Sequence, residues 1–368
     1  MLYHFLPQFA DVHIVFNLFR YITFRAAGAV VTSLLVAFVL GPAAIRWFTR
    51  LRVGQIVRDL GPETHQGKAG TPTMGGVIII AAATLSTLLW AELTNWYTML
   101  ALGALLWMGG IGFLDDYLKV VRKHSRGLVA RYKMAGQWVF GLALGTFLLV
   151  HPISPLPSTV TGVPFFSDWA AVFWGPAFVV FVGVVVSGTS NAVNLTDGLD
   201  GLAAGLTGIA AVTFGVLAYV SGRVDMSRYL GLFYLPGSGE LAVFALALAG
   251  GALGFLWYNA HPAEVFMGDT GSLALGGAIG VLAILLKSEF LLVIVGGVFV
   301  LETASVLIQT SWFKYTARRY GEGRRIFKMA PIHHHFEKLG WAEPKVVVRF
   351  WILGVLCAMV AFSTLKIR

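Results

Sequence analysis

Asp115 and Asp116 stand side by side directly after the apolar run ALGALLWMGGIGFL. Adjacent carboxylates at a helix end repel each other, and hard cations with oxygen ligands relieve that repulsion. The pair therefore reads as a magnesium or base site, with interfacial capping as the plain alternative. Lys119, four residues on, is spaced to pair with one of them. Asn191, Asn194, Asp197 and Asp200 recur at three-residue intervals in SGTSNAVNLTDGLDGLAAG, which brings polar groups roughly to one side of a helix. The helix starting there offers free N–H groups and a positive dipole end to a phosphate. Asn/Asp turns capping that start would explain part of the pattern. Asp269, in FMGDTGS, opens a further apolar run as either an N-cap or a metal ligand.

His333, His334 and His335 fall in PIHHHFE. Three adjacent imidazoles diverge on a helix and have no nearby cysteine, a poor zinc site. They can donate hydrogen bonds to phosphate oxygens, or simply be a solvated run. The Gly-rich GKAGTPTMGG at 67–76 carries Lys68, Thr71 and Thr73. It lacks the GxxxxGK[ST] spacing of a P-loop, and a plain connecting loop is its alternative reading.

The elements that must position these groups are membrane helices. The chain is 57% hydrophobic and 12% charged, outside the range of a water-soluble globule. Its apolar blocks predict an all-α polytopic protein, one integral membrane domain over 1–368, with about ten spans of the roughly 20 residues that cross a bilayer. They are placed near 22–45, 75–93, 98–114, 134–151, 169–187, 199–220, 240–258, 270–286, 289–311 and 347–365. A β-barrel would instead show short segments of alternating polarity, which do not recur. The first twenty residues contain Asp11 and His13 and do not read as a removable signal. Cys357 is a lone cysteine, so thiol metal sites and internal disulfides are excluded.

Lys and Arg sort by loop: six fall between Lys119 and Lys133 and nine between Lys314 and Arg349, whereas 151–168 has none. The positive-inside rule makes the basic loops cytoplasmic and both termini periplasmic. It also accounts for the net charge of +9 without nucleic acid. The Pro-rich segment 151–168 reads as a short exposed hairpin. All five chemical features then lie on the cytoplasmic face. Carboxylates, helix N-termini, lysines and histidines gathered where membrane meets cytosol suit magnesium-assisted phosphoryl transfer with one substrate in the bilayer. A secondary transporter, the reading from another class, would place its acids near mid-membrane. Glu302 is the exception inside an apolar block, read as a helix–helix hydrogen bond or a contact with a water-filled cavity.

DDYLK at 115–119, NAVNLTDGLDGL at 191–202, FMGDTGS at 266–272 and MAPIHHHFEKLGW at 329–341 closely resemble the phospho-N-acetylmuramoyl-pentapeptide transferase family. That family lies within the polyprenyl-phosphate N-acetylhexosamine-1-phosphate transferases. The resemblance covers nearly the whole chain after residue 20. It implies ten membrane helices, a homodimer in the bacterial inner membrane, and transfer of phospho-MurNAc-pentapeptide from UDP-MurNAc-pentapeptide to undecaprenyl phosphate, giving lipid I and UMP. By motif it implies Asp269 and Asp115 as magnesium ligands, and Asp115, Asp116, Asp269 and His333 as catalytic. Lys68, Thr73, Lys133, Asn191, Asn194, Asp197, Asp200, His334 and His335 would contact substrate. Direct attack by the lipid phosphate and a route through a phospho-aspartyl enzyme both remain open. A sister enzyme moving a GlcNAc-1-phosphate group is the nearest rival, and the triple-His loop argues against it.

Overall fold

The computed structural model describes residues 1–50, 70–122, 127–166 and 170–365, and they are helical almost throughout. After the short α1 (Leu2–Phe5) and two 3-10 turns come α2 (Ile22–Arg50), α3 (Gly76–Trp90), α4 (Trp96–Val120) and α5 (Ala130–Val150). A hairpin follows, β1 (Val160–Gly162) antiparallel to β2 (Ala170–Val172). Then come α6 (Gly175–Thr196), α7 (Leu202–Ser221), the short α8 (Val224–Leu230), α9 (Glu240–Asn259) and α10 (Gly268–Leu285). The chain ends through α11 (Glu289–Val295), α12 (Gly297–Tyr320), α13 (Ile332–Lys338) and α14 (Glu343–Ser363).

Among the described residues, eight helices are long and apolar enough to cross a membrane. α3 is apolar but shorter, at 15 residues, and α11 with α12 passes the same test as a pair bent by 84°. Each expected span thus meets an apolar helix or helix pair, with shifted ends. The block expected at 169–187 gives its first residues to β2, and α6 starts only at Gly175, with Pro176 in its first turn, where a missing N–H costs no helical bond. The span expected to stop at 114 continues to Val120, so Asp115 and Asp116 lie inside α4 rather than beyond it.

α10 is the centre of the bundle: 89% of its apolar stretch is buried, against 22% for α2. Lipid is as apolar as leucine, so membrane helices associate through close packing and internal polar bonds rather than by escaping solvent. α3 and α10 meet where Gly76 lies directly on the Gly271 backbone, with no room for a side chain between them. The ends of these helices define two poles. α3 runs from Gly76 to Trp90, α9 the other way from Glu240 to Asn259, and α10 from Asp269 toward Lys287. Asp269 marks one pole, and Trp90, Glu240 and Lys287 the other.

Candidate active site

The first pole gathers the carboxylates. One oxygen each from Asp115, Asp116 and Asp269 lies within 4.8 Å of the others. Asp115 is fully buried on α4; its Oδ1 accepts from Leu128 N–H at 2.7 Å, and its Oδ2 meets Lys119 Nζ at 2.6 Å and Lys133 Nζ at 2.9 Å. The same two ammonium groups reach Asp269 Oδ2, at 2.9 and 2.6 Å. Asn194 Nδ2 donates to Asp269 Oδ1 at 2.7 Å and contacts Ser272 Oγ at 2.8 Å. Asp269 is the most open of the three, with 16% of its side chain exposed.

Asp116 does different work. Its Oδ1 accepts from Asp269 N–H, and its Oδ2 from Thr270 N–H at 2.8 Å and Thr270 Oγ1 at 2.6 Å. It therefore caps the start of α10 from a neighbouring helix, satisfying N–H groups that the helix cannot bond itself. Gly268 makes this possible: at φ +71° it favours glycine, and a Cβ there would come 2.6 Å from Asp116 Oδ2 and 2.9 Å from Thr73 Oγ1. Thr73 is held close by main-chain pairing, Gly75 N–H to Phe266 O and Phe266 N–H to Pro72 O, both 2.8 Å. Lys68, of the same loop, lies outside the described residues.

Asp197 sits just past the end of α6, in the turn before α7. Burial, then the negative charges of Asp269, Asp116 and Asp200, push its pKa up to about 8. Asp197 is therefore mostly protonated at neutral pH, and the three carboxylates of Asp115, Asp116 and Asp269 face two ammonium groups. That surplus of negative charge, on hard oxygen donors, fits a magnesium ion, with Asp115 and Asp269 as the ligands free of capping duty.

The four polar residues at three-residue spacing do not converge on one point. Asn191 donates to Gln137 Oε1 and Ser187 O, facing α5. Asp200 is buried, its Oδ2 3.1 Å from His261 Nδ1 and accepting from Ala263 N–H, while Glu343 Oε1 accepts from Asp200 N–H at 2.8 Å. The histidines diverge as the helix dictates. His333 points inward, wholly buried, His334 Nδ1 lies 2.6 Å from Glu337 Oε2, and His335 Nδ1 accepts from Lys328 N–H.

Residues 97–287 match the family model described as glycosyl transferase family 4, and 68–80 match phospho-N-acetylmuramoyl-pentapeptide-transferase signature 1. A phospho-N-acetylmuramoyl-pentapeptide-transferase from Gemmatimonas aurantiaca is 57% identical over 384 aligned residues, covering 100% of both chains. Relatives of that name from Desulfatibacillum aliphaticivorans and Thermodesulfovibrio yellowstonii are 54% and 49% identical, again covering 100% of both. The chain belongs to the phospho-N-acetylmuramoyl-pentapeptide-transferase family. Within that family, the signature falls on the Gly-rich loop whose motif alone was indistinguishable from a connector. Its Thr73 end is docked on the start of α10.

Sequence reasoning left Lys119, Thr270, Gln137, His261 and Glu343 out of its candidate site. Only Lys119 carried a signal, its four-residue offset from Asp115. The others are brought in by tertiary packing.

Proposed function

We propose that this multi-pass membrane protein transfers phospho-MurNAc-pentapeptide from UDP-MurNAc-pentapeptide to undecaprenyl phosphate in the bacterial inner membrane, giving lipid I and UMP. The observation that carries this reading is the Asp115–Asp116–Asp269 group with its two shared lysines, in a chain that matches named transferases along its whole length. In this reading the site faces the cytoplasm and both termini the periplasm, the orientation that the loop charges support. The ten apolar helical segments form one integral membrane domain.

An apolar cavity of about 380 Å³ supports a lipid acceptor. Val185 and Val193 of α6, Phe290 and Val293 of α11, and Val300 and Leu307 of α12 line it. It reaches Ala192 and Val193, beside Asn194, so a polyprenyl tail lying there would bring its phosphate toward Asp269.

Lys119 and Lys133 bind phosphate oxygens, exchanging carboxylate partners for the incoming anion. Asn194 and Ser272 orient Asp269. Thr73 and the His334–His335 helix contact the donor. A phosphate monoester is already anionic at neutral pH, so an oxygen of the lipid phosphate attacks the sugar-linked phosphorus directly. The bond from that phosphorus to the oxygen of UMP breaks as the new P–O bond forms, and UMP leaves with the electron pair. Direct attack is preferred to a phospho-aspartyl route because both oxygens of Asp116 already accept from the start of α10. Magnesium on Asp269 and Asp115 would neutralise diphosphate charge.

The test is UMP release by detergent-purified protein given both substrates, with and without magnesium, beside Asp269→Asn. Metal-dependent release lost in the variant is expected. Release only from UDP-GlcNAc would move the protein to the sister branch, and release from neither sugar would overturn the reading. A homodimer, implied by the resemblance, is tested by light scattering of the same preparation.

A further inference from the structure

Glu302 lies early in α12 and His333 in the first turn of α13, and both side chains are wholly buried. Oε1 of one lies 3.1 Å from Nδ1 of the other. None of the two carboxylate oxygens and two ring nitrogens has a well-aligned hydrogen bond, so each residue depends on the other for compensation. Buried polar atoms in that state are costly to the fold. A well-packed apolar pair of the same shape would often be no less stable. The pair is therefore better explained by what it positions than by the stability it adds.

It positions Gly198. His333 Nε2, at the ring edge away from Glu302, lies so close to Gly198 that a Cβ there would collide with it, and His334 Nε2 would stand 3.3 Å from that Cβ. Gly198 directly follows Asp197, in the turn between α6 and α7. The far end of that turn is clamped by Glu343 on Asp200 N–H, by Asn259 Oδ1 on Gly201 N–H at 3.0 Å, and by His261 on the Asp200 carboxylate. Among the described residues, the Gly198 end is held by Gly198 N–H to Thr196 O at 2.9 Å within the turn and by the two imidazoles packed against it.

We propose that Glu302 is a positioning residue: it fixes the His333 ring by its Nδ1 edge, so that the Nε2 edge braces Gly198 and sets how far Asp197 projects toward Asp269. The inference rests on the transferase reading above and deepens it by assigning the brace to one substrate. On α12 the apolar cavity is lined by Phe299, Val300, Thr303, Ala304 and Leu307, a stripe centred well round the helix from Glu302, which does not line it. The brace therefore governs the UDP-sugar, which in the reading above is contacted by the His334–His335 helix that follows His333, and not the site of the lipid tail.

The experiment measures kcat and KM for each substrate in the wild type, Glu302→Leu and Glu302→Gln. Glu302→Leu is expected to raise the UDP-sugar KM about tenfold, the scale on which supporting partners of site residues act. The lipid KM stays unchanged. Glu302→Gln keeps an oxygen facing Nδ1 and restores the UDP-sugar KM. Gly198→Ala pushes on the same ring from the other side and is expected to raise the same KM, so it carries the test should Glu302→Leu not purify as a folded protein. A loss confined to kcat with both KM values unchanged signals only fewer folded molecules and overturns the brace, as does no change at all. A wild type that releases no UMP overturns the transferase reading, whereas an active wild type without the KM split overturns the brace alone.

Discussion

At the pole of Trp90 and Lys287, Arg25 meets Glu240 through contacts of 2.5 and 2.7 Å, one cation to one carboxylate, and Glu92 N–H donates to the same Glu240 Oε2 at 2.9 Å. At the pole of Asp269, Lys119 and Lys133 each bridge Asp115 to Asp269, and Asp116 is the third carboxylate of the same group. Both clusters bury charge in an apolar bundle. The first is matched charge for charge, one guanidinium to one carboxylate. The second holds excess negative charge that folding alone would not select, and its lysines divide their hydrogen bonds between partners. Buried ion pairs are costly to assemble, so an unmatched cluster points to a ligand that completes it.

Asp269→Asn tests that contrast most severely. It removes the most open carboxylate, one of the two that both lysines share. The expected loss in kcat for UMP release is about a thousandfold or more, the upper range for removing one transition-state contact. The thermal midpoint in detergent should change little, because relieving like-charge repulsion offsets the lost ion pairs. Arg25→Met should do the reverse. Leaving Glu240 buried and unpaired costs about 3–5 kcal/mol, read as a lower midpoint, while kcat per folded molecule holds. If Arg25→Met instead abolished turnover in folded protein, the two poles would not be separable in function.

The sequence shows the bundle plainly, because blocks of about 20 apolar residues have few alternatives to a membrane helix. It shows the site less evenly. Asp115 and Lys119 are legible as a helical pair. The series from Asn191 to Asp200 misleads, because three residues turn a helix by about 300°, so each successive member drifts about 60° round the axis. Asn191 accordingly faces Gln137, Asn194 faces Asp269, and α6 ends at Thr196 before the two acids are reached. That Asp116 caps α10 leaves no local trace, since the capped N–H groups belong to a helix far along the chain. Glu302 stands out in sequence as a charge among apolar residues, but its partner His333 becomes visible only when α13 folds against α12.

Asp197 and Asp200, three residues apart, repeat the comparison of the poles within one turn. Asp200 is enclosed by His261, Ala263 and Glu343, whereas Asp197 lies among the site carboxylates. Asp200→Asn should lower stability by about 1–3 kcal/mol through lost acceptors, visible in the thermal midpoint. Asp197→Asn should leave the midpoint near wild type and reduce kcat/KM. An equal effect of both variants on both measurements would mean that the turn works only as a unit.

The smallest effect is expected at the matched pole, from Lys287, whose Nζ donates to Pro157 O at 2.8 Å and contacts Val160 O at 3.3 Å, tying down the β1–β2 hairpin. Burial lowers its pKa from 10.5 to about 8, against the opposing pull of Glu289. The folded protein therefore releases this proton before the unfolded chain does. Between pH 8 and 10.5 the unfolded state binds more protons, so the Lys287 contribution to stability rises with pH across that window and is flat below it. The difference in thermal midpoint between wild type and Lys287→Met should widen in favour of the wild type as pH is raised from 8 toward 10. UMP release measured at one pH well below the midpoint should not distinguish them, because the hairpin and the carboxylates stand at opposite ends of α10. A variant that lost turnover while still folded would couple the two poles through that helix and end the division drawn between them.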